Sequence, residues 1–439
     1  MAITPNSDSS SIQGLFKNIY ADKIQILTPD AAALTKVIGF NQKQMTGRTY
    51  NQPVVLSRYH GATYFQNSAG AAALDAPISM IEQNAEVEGC NMVNRATVSY
   101  ELEERTKLGG AQAFKDASKH VVMELLESSV YRLECGLFYG QSGLAAFDNT
   151  TVVAQVGAEI TLQVPTASWS SWIWSGAENA RVEFYNDQTG VIVASVGTMD
   201  VTSAAGIPVD VDNKQITLTE ETAGDAAQLA AAIAALAGAD TISVYFKTAF
   251  ANECAGLKKI MTNTGTLFGI NAGQYSLWKG NTFDVGGADL DQAKLEQGLN
   301  RAIGRGLKNM DVDLFVSPPA WGFLNDSLAA KRMYDSSYKE EGTNGFKSIK
   351  YFSSNGSITV HSCGYVKLGD AFLFPKEHVK RIGSSDVKFQ YKVEGGNEIY
   401  FTTLANNAGF EFRTFYNQAA FIEKPAQCTF FTNIVTTGA

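Results

Sequence analysis

From Asn51 to Thr106 the chain carries no lysine, and it then runs directly into a long helix pattern free of proline. The segment is rich in Gly, Ala, Asn and Gln and poor in large apolar side chains, so it cannot build a core of its own. An extended arm of this kind must bury itself against something else, and a second copy of the same chain is the nearest partner. Assembly is expected before chemistry.

At 439 residues the chain has room for two or three domains with ordinary cores. Charged residues make up only 18%, below the roughly 25% usual for soluble domains, which leaves more surface to bury between subunits. The net charge is −9 and no basic run exceeds a pair (Lys258-Lys259, Lys331-Arg332, Lys380-Arg381), which argues against a protein that grips phosphates. Met1 to Ser11 is polar and does not read as a secretory signal, and the apolar run Ala226 to Ala239 is too short to span a bilayer. The five cysteines (Cys90, Cys135, Cys254, Cys363, Cys428) are scattered, with no C-x-x-C pair. Reduced thiols are the expected state, with Cys90 on the arm as the alternative, a disulfide to another subunit.

Residues 1 to 50 read as a loosely structured leader with one short helix, Asp30 to Ile38. Ile78 to Leu102 alternates (Val87, Gly89, Asn91, Val93; Ala96, Val98, Tyr100, Leu102), which predicts a long two-stranded hairpin needing a platform elsewhere. A helix is expected from Gly110 to Tyr139. Phe114, Ala117, Val121 and Leu125 form one apolar row, Val122, Leu126, Val130, Leu133 and Leu137 its neighbour, and Glu127 and Glu134 stand outside both.

Between residues 150 and 250 short β-like runs separated by turns predict a self-contained, sandwich-like module, with Asp225 capping an alanine-rich helix. Trp169, Trp172 and Trp174 read as packing residues. Beyond it, a helix capped by Asp289 and closing at Gly304 to Gly306 precedes the strand Val312 to Val316 and a helix opened by Ser317-Pro318. The remainder is β-rich. The fold class is α+β with an inserted β module.

A search for chemistry finds no convergent site. His361 and Cys363 share a strand face, an arrangement that could pair a base with a thiol, but the flanking pattern favours packing. Asp210-Val211-Asp212-Asn213 begins like a calcium loop and fails at the next ligand and glycine. No nucleotide or zinc motif occurs. Neither catalytic residues, nor cofactor-binding residues, nor metal ligands are assigned.

The order of elements resembles the major capsid protein of tailed bacteriophages, the Hong Kong ninety-seven-type fold. Tyr275-Ser276-Leu277-Trp278-Lys279-Gly280-Asn281 resembles the entry to that family's axial domain, and Leu314-Phe315-Val316-Ser317-Pro318-Pro319-Ala320-Trp321 its strand-to-helix junction. Lys367-Leu368-Gly369-Asp370 with Arg381-Ile382-Gly383 is similar to its late strands. The stretch from Ala408-Gly409 to Asn417-Gln418-Ala419 is similar to its closing peripheral strands.

The resemblance implies an N-terminal arm (1–50), an extended-loop hairpin (51–107), a peripheral domain with its spine helix (108–149), an inserted immunoglobulin-like module (150–250), an axial domain (251–375), and an end segment returning to the peripheral strands (376–439). It implies hexameric and pentameric capsomers closing into an icosahedral head, assembled in a host cytoplasm, that encloses double-stranded DNA without reading its sequence and without a membrane. Portal protein, a separate scaffolding protein and a decoration protein are the implied partners. Arg58, Tyr59, Tyr64, Phe65, Glu86, Glu88 and Arg95 are the implied inter-subunit contacts of the loop. Some family members weld shells through a loop lysine, and with none between Asn51 and Thr106 this chain is expected to rely on non-covalent overlap. The alternatives are another virion component (tail tube or decoration protein) and, further off, an enzyme with a β accessory domain.

Overall fold

In the computed structural model, residues 32–41, 49–66, 73–101, 117–193, 196–204, 206–238, 240–332, 349–389, 392–394, 397–399, 401–403 and 408–435 are described. Most of the leader, the start of the expected long helix (110–116, with Phe114) and residue 102 of the expected hairpin lie outside them.

Two sheets and one helix organise the body. The peripheral sheet is built on the strand Gly409–Ile422, whose 14 residues pair along one edge with Cys90–Ser99 and also with Val379–Phe389 and Phe401–Thr403. The axial sheet runs in the order Asn281–Ala288, Thr429–Ile434, Ala371–Phe374, Val312–Val316, Ser357–Ser362, Ile349–Phe352. Helix Gln292–Gly304 packs on it through Leu295, Leu299 and Ala302, all buried with Leu314 and Phe431. The chain thus ends by crossing back from the peripheral sheet into the axial one.

The long helix is described over Ala117–Tyr139, about 34 Å at 1.5 Å per residue. Its first half lies on the peripheral strands, where Leu125 packs with Val98 and Phe412. Its last turns are enclosed on most sides: Leu133, Glu134, Cys135, Leu137, Phe138 and Tyr139 are all buried. A two-row stripe therefore describes only half the helix, and Glu134, expected outside the apolar rows, is fully buried (0% exposed).

The predicted hairpin within Ile78 to Leu102 is replaced by two different pairings. Glu82–Val87 pairs backward with Tyr50–Val55, whereas Cys90–Ser99 pairs with Gly409–Ile422. Alternation sets which face each residue takes but carries no information about its partner strand. The thiol expectation is also corrected: Cys90 and Cys254 are joined as a disulfide within one chain, Cα atoms 5.5 Å apart, while Cys135, Cys363 and Cys428 are free and buried.

The inserted module, joined by the strand Ala145–Phe147, forms one continuous nine-stranded sheet in which every pairing is antiparallel. It is not self-contained. Its Ile160, Phe184 and Ile216 belong to the same core as Leu133 and Phe138 of the long helix and Phe372 of the axial sheet. Main-chain bonds fix the join: Leu368 N–H donates to the Trp169 carbonyl (2.9 Å) and Gly369 N–H to that of Ala167 (3.0 Å). Trp169 and Trp174 are buried, and Trp172 meets Tyr365 edge-on, as packing residues do.

Two helix caps differ from expectation. Helix Asp225–Ala234 is capped by Glu220, whose carboxylate accepts from Gly224 and Ala226 N–H, while Asp225 reaches instead to Gly197 N–H. Helix Gln292–Gly304 is capped by Asp291, not Asp289, through Lys294 N–H at 2.8 Å. In both cases several acids precede the helix, and the turn geometry selects among them.

Candidate assembly surfaces

The lysine-free segment forms a ribbon with a buried base and an exposed far end. At the base, Leu56, Ala85 and Val87 pack with Ile270, Trp278, Ile382 and Phe421, and Glu86 N–H donates to the Phe268 carbonyl (3.0 Å). Beyond the paired strands the two sides stay tied: Leu56 N–H to Ile81 O at 2.8 Å, His60 N–H to Ile78 O at 3.2 Å, Asp75 N–H to Thr63 Oγ1 at 2.9 Å. These ties hold an extended shape on a segment whose side chains bury little. Twelve residues separate Asp75 from Val87, a reach of up to roughly 40 Å at about 3.3 Å each when fully extended.

The far end is apolar and open. Tyr64 is 96% exposed, Leu74 80%, Tyr59 68%, and Phe65 and Ile78 more than half. So many large apolar side chains on one projection exceed what scattered surface residues explain.

The structure divides the implied contact residues. Arg58, Tyr59, Tyr64 and Phe65 lie on the exposed far part of the ribbon. Glu86 and Glu88 are exposed at its base. Arg95 is exposed on Cys90–Ser99, directly across from Arg413. Those two arginines share Glu411, whose carboxyl is held below the usual range by the Arg413 hydrogen bond (2.6 Å) first and by Arg95 less. The seven residues therefore form no single patch within one chain.

Sequence reasoning missed the second surface, a cavity of about 360 Å³ where the long helix, the inserted module, Cys90–Ser99 and Gly409–Ile422 meet. Arg132 lies over Phe246 there, its guanidinium carbon 3.4 Å from the ring centroid. Glu253 accepts Gln141 N–H at 2.8 Å, and burial pushes its carboxyl up to about 7 against that bond and the Arg132 charge. No periodic signal marks these residues, because four segments distant in sequence supply them.

The His361 and Cys363 side chains are each engaged in packing or pairing of their own. His361 Nε2 lies 2.8 Å from Asp313 Oδ1 with its ring stacked on Phe315, and Cys363 is buried with its thiol pushed up to about 12 by desolvation. Among the described residues no group of three or more potential metal ligands converges, and no helix is long and apolar enough to cross a membrane.

No family model matches the chain, and no curated protein matches it in sequence. Solved structures do. The capsid asymmetric unit of cyanophage A-1(L) is similar with a TM-score of 0.56 at 12% identity, covering 98% of this chain and 99% of that one. The capsid of a native GTA particle is similar with a TM-score of 0.50 at 6% identity, again over 98% and 99%. The chain therefore has the α+β capsid fold of tailed phages over nearly its whole length.

Proposed function

We propose that this chain is a major capsid protein, the repeating subunit of an icosahedral virion head that encloses phage double-stranded DNA. The observation that carries the reading is the pairing of two facts: a capsid fold matched end to end, and a tied ribbon whose aromatic far end finds no cover among the described residues of its own subunit. An isolated subunit leaves that apolar surface in water. Overlap with neighbours in hexamers and pentamers buries it, at roughly 25 cal/mol per Å². The contacts we assign to the ribbon are Arg58, Tyr59, Tyr64, Phe65, Glu86, Glu88 and Arg95. A portal protein, a separate scaffolding protein and a decoration protein complete the proposed partners. The acidic balance of the chain, −9 overall, keeps the inner wall from gripping the genome.

Negative-stain microscopy of the protein, expressed with its neighbouring genes, tests the reading. Closed shells of uniform size are the expected product. Tubes, or particles that appear only on pre-existing shells, would favour a tail or decoration protein, and a product that forms no closed shells with the neighbouring genes present would refute the reading.

A further inference from the structure

We propose that the cavity beneath the long helix receives the Asp75 carboxylate from the ribbon of a second copy of the chain, with Arg132 as its partner. The inference rests on the capsid reading and assigns a donor and a receptor to one of its contacts.

Arg132 is the reason the cavity calls for an anion. Phe246 covers one face of its guanidinium, and among the described residues no carboxylate or carbonyl accepts its N–H groups. The other cations lining the space are already engaged: Arg181 with Asp200 and Glu221, Lys247 with Glu221. Glu253 also lines it but titrates near 7 and is committed to Gln141 N–H, so it neutralises Arg132 incompletely. A half-buried planar guanidinium with free donors fits a carboxylate, which can take two parallel hydrogen bonds.

Asp75 is the source because the projecting part of the ribbon offers no other carboxylate, Glu86 and Glu88 lying at its base. From Leu56 to Ile81 the charged side chains are Arg58 and Asp75, with His60 the only other group that could gain a charge near neutral pH. Asp75 is exposed, flanked by Leu74 and Ile78, and its backbone is fixed by Thr63. It cannot serve its own subunit. The cavity is lined by Cys90 to Asn94, just past the ribbon base, whereas the cross-ties keep Asp75 on the projecting part, twelve residues from Val87, a reach of up to roughly 40 Å when fully extended. A donor on the projecting ribbon and a receptor on the body of the next copy give a head-to-tail contact, and such contacts close into rings when the rotation allows.

The test uses assembled particles of the unaltered protein, made from an equal mixture of isotopically heavy and light subunits and treated with a carbodiimide. This reagent joins a carboxylate to an amine with loss of water, and Lys247 supplies an amine on the cavity wall. We expect an Asp75–Lys247 amide in mixed heavy–light peptide pairs. An amide confined to pairs of one isotope, or Asp75 joined only to lysines away from the cavity, overturns the proposal. Asp75→Arg, on an exposed loop that does not bear on folding, should lower the yield of closed particles at least about tenfold, and adding Arg132→Glu should restore much of it.

If Asp75→Arg assembles at the unaltered yield while glutarate raises the melting temperature of isolated subunits in an Arg132-dependent way, the cavity holds a small carboxylic acid and the proposal fails. Failure of the capsid reading itself would show earlier and separately, as the absence of closed particles from the unaltered chain.

Discussion

Glu134 on the long helix accepts Thr35 from two atoms at once, the backbone N–H at 2.8 Å and the hydroxyl at 2.7 Å, across 99 residues of chain. Its two oxygens also take Ala33 and Leu34 N–H, each at 3.0 Å. A buried carboxylate thus caps the short helix Leu34–Val37 from another element, doing from outside what an N-cap residue does locally. The arm is held further along by Arg381, whose Nε donates to the Ile38 carbonyl at 2.9 Å. Replacing Glu134 with Ala leaves these donors unsatisfied and should cost about 3 kcal/mol. Limited proteolysis should then cut near residues 33–41 well before the rest of the chain. Equal cutting rates in the variant and the parent would show that the arm does not depend on this carboxylate.

The Cys90–Cys254 bond closes a loop of 164 residues, for which the chain-entropy model gives about 5 kcal/mol. Cys90→Ser should therefore melt at a distinctly lower temperature than the parent under oxidising conditions, and the two should converge in reductant. Because the bond lies within one chain, and because no lysine exists between Asn51 and Thr106 for an isopeptide weld, purified particles should run as one monomer band in denaturing electrophoresis without reductant. A ladder of covalent multimers would contradict this.

Lys367 gives the fold a pH dependence of defined sign. It is 3% exposed, its Nζ donates to the Gly143 carbonyl at 2.9 Å, and burial, then the charge of Lys258, pull its pKa down to about 7. In the unfolded chain the same lysine titrates near 10.4. Between these values the unfolded state binds more protons, so this group makes stability rise with pH from about 7 to about 10, by up to about 1.4 kcal/mol per unit. Denaturant midpoints measured at pH 7, 8 and 9 should climb, and Lys367→Met should remove most of the slope. An unchanged slope in the variant would place the proton elsewhere.

Gly364 has no room for a side chain. A Cβ there would lie 2.4 Å from the ring of Trp172, which packs on Tyr365 where the inserted module meets the axial segment. Gly364→Ala should displace that ring and destabilise the join by about 2 kcal/mol. Tryptophan fluorescence should report a changed Trp172 environment together with a lower melting temperature. A variant matching the parent in both would mean that the ring yields without loss.

The sequence by itself determined the type of several elements and some of their bounds. Val312–Val316, Ala371–Phe374 and Thr429–Ile434 are readable as strands from their short apolar runs, and the long helix ends at Tyr139 as its periodicity predicts. It also determined that a lysine-poor arm could not bury itself, because composition limits the apolar area a segment can hide. Partners were decided only by the tertiary structure. Cys90–Ser99 alternates equally well against any strand, and its choice of Gly409–Ile422, more than 300 residues away, depends on which edge the folded sheet leaves open. Glu134 reads as a charge outside the apolar rows until the helix enters the core, since local periodicity cannot count the neighbours that arrive from elsewhere. Cys90 and Cys254 carry no pairing signal for the same reason: proximity between distant segments is a property of the packed chain, not of its spacing.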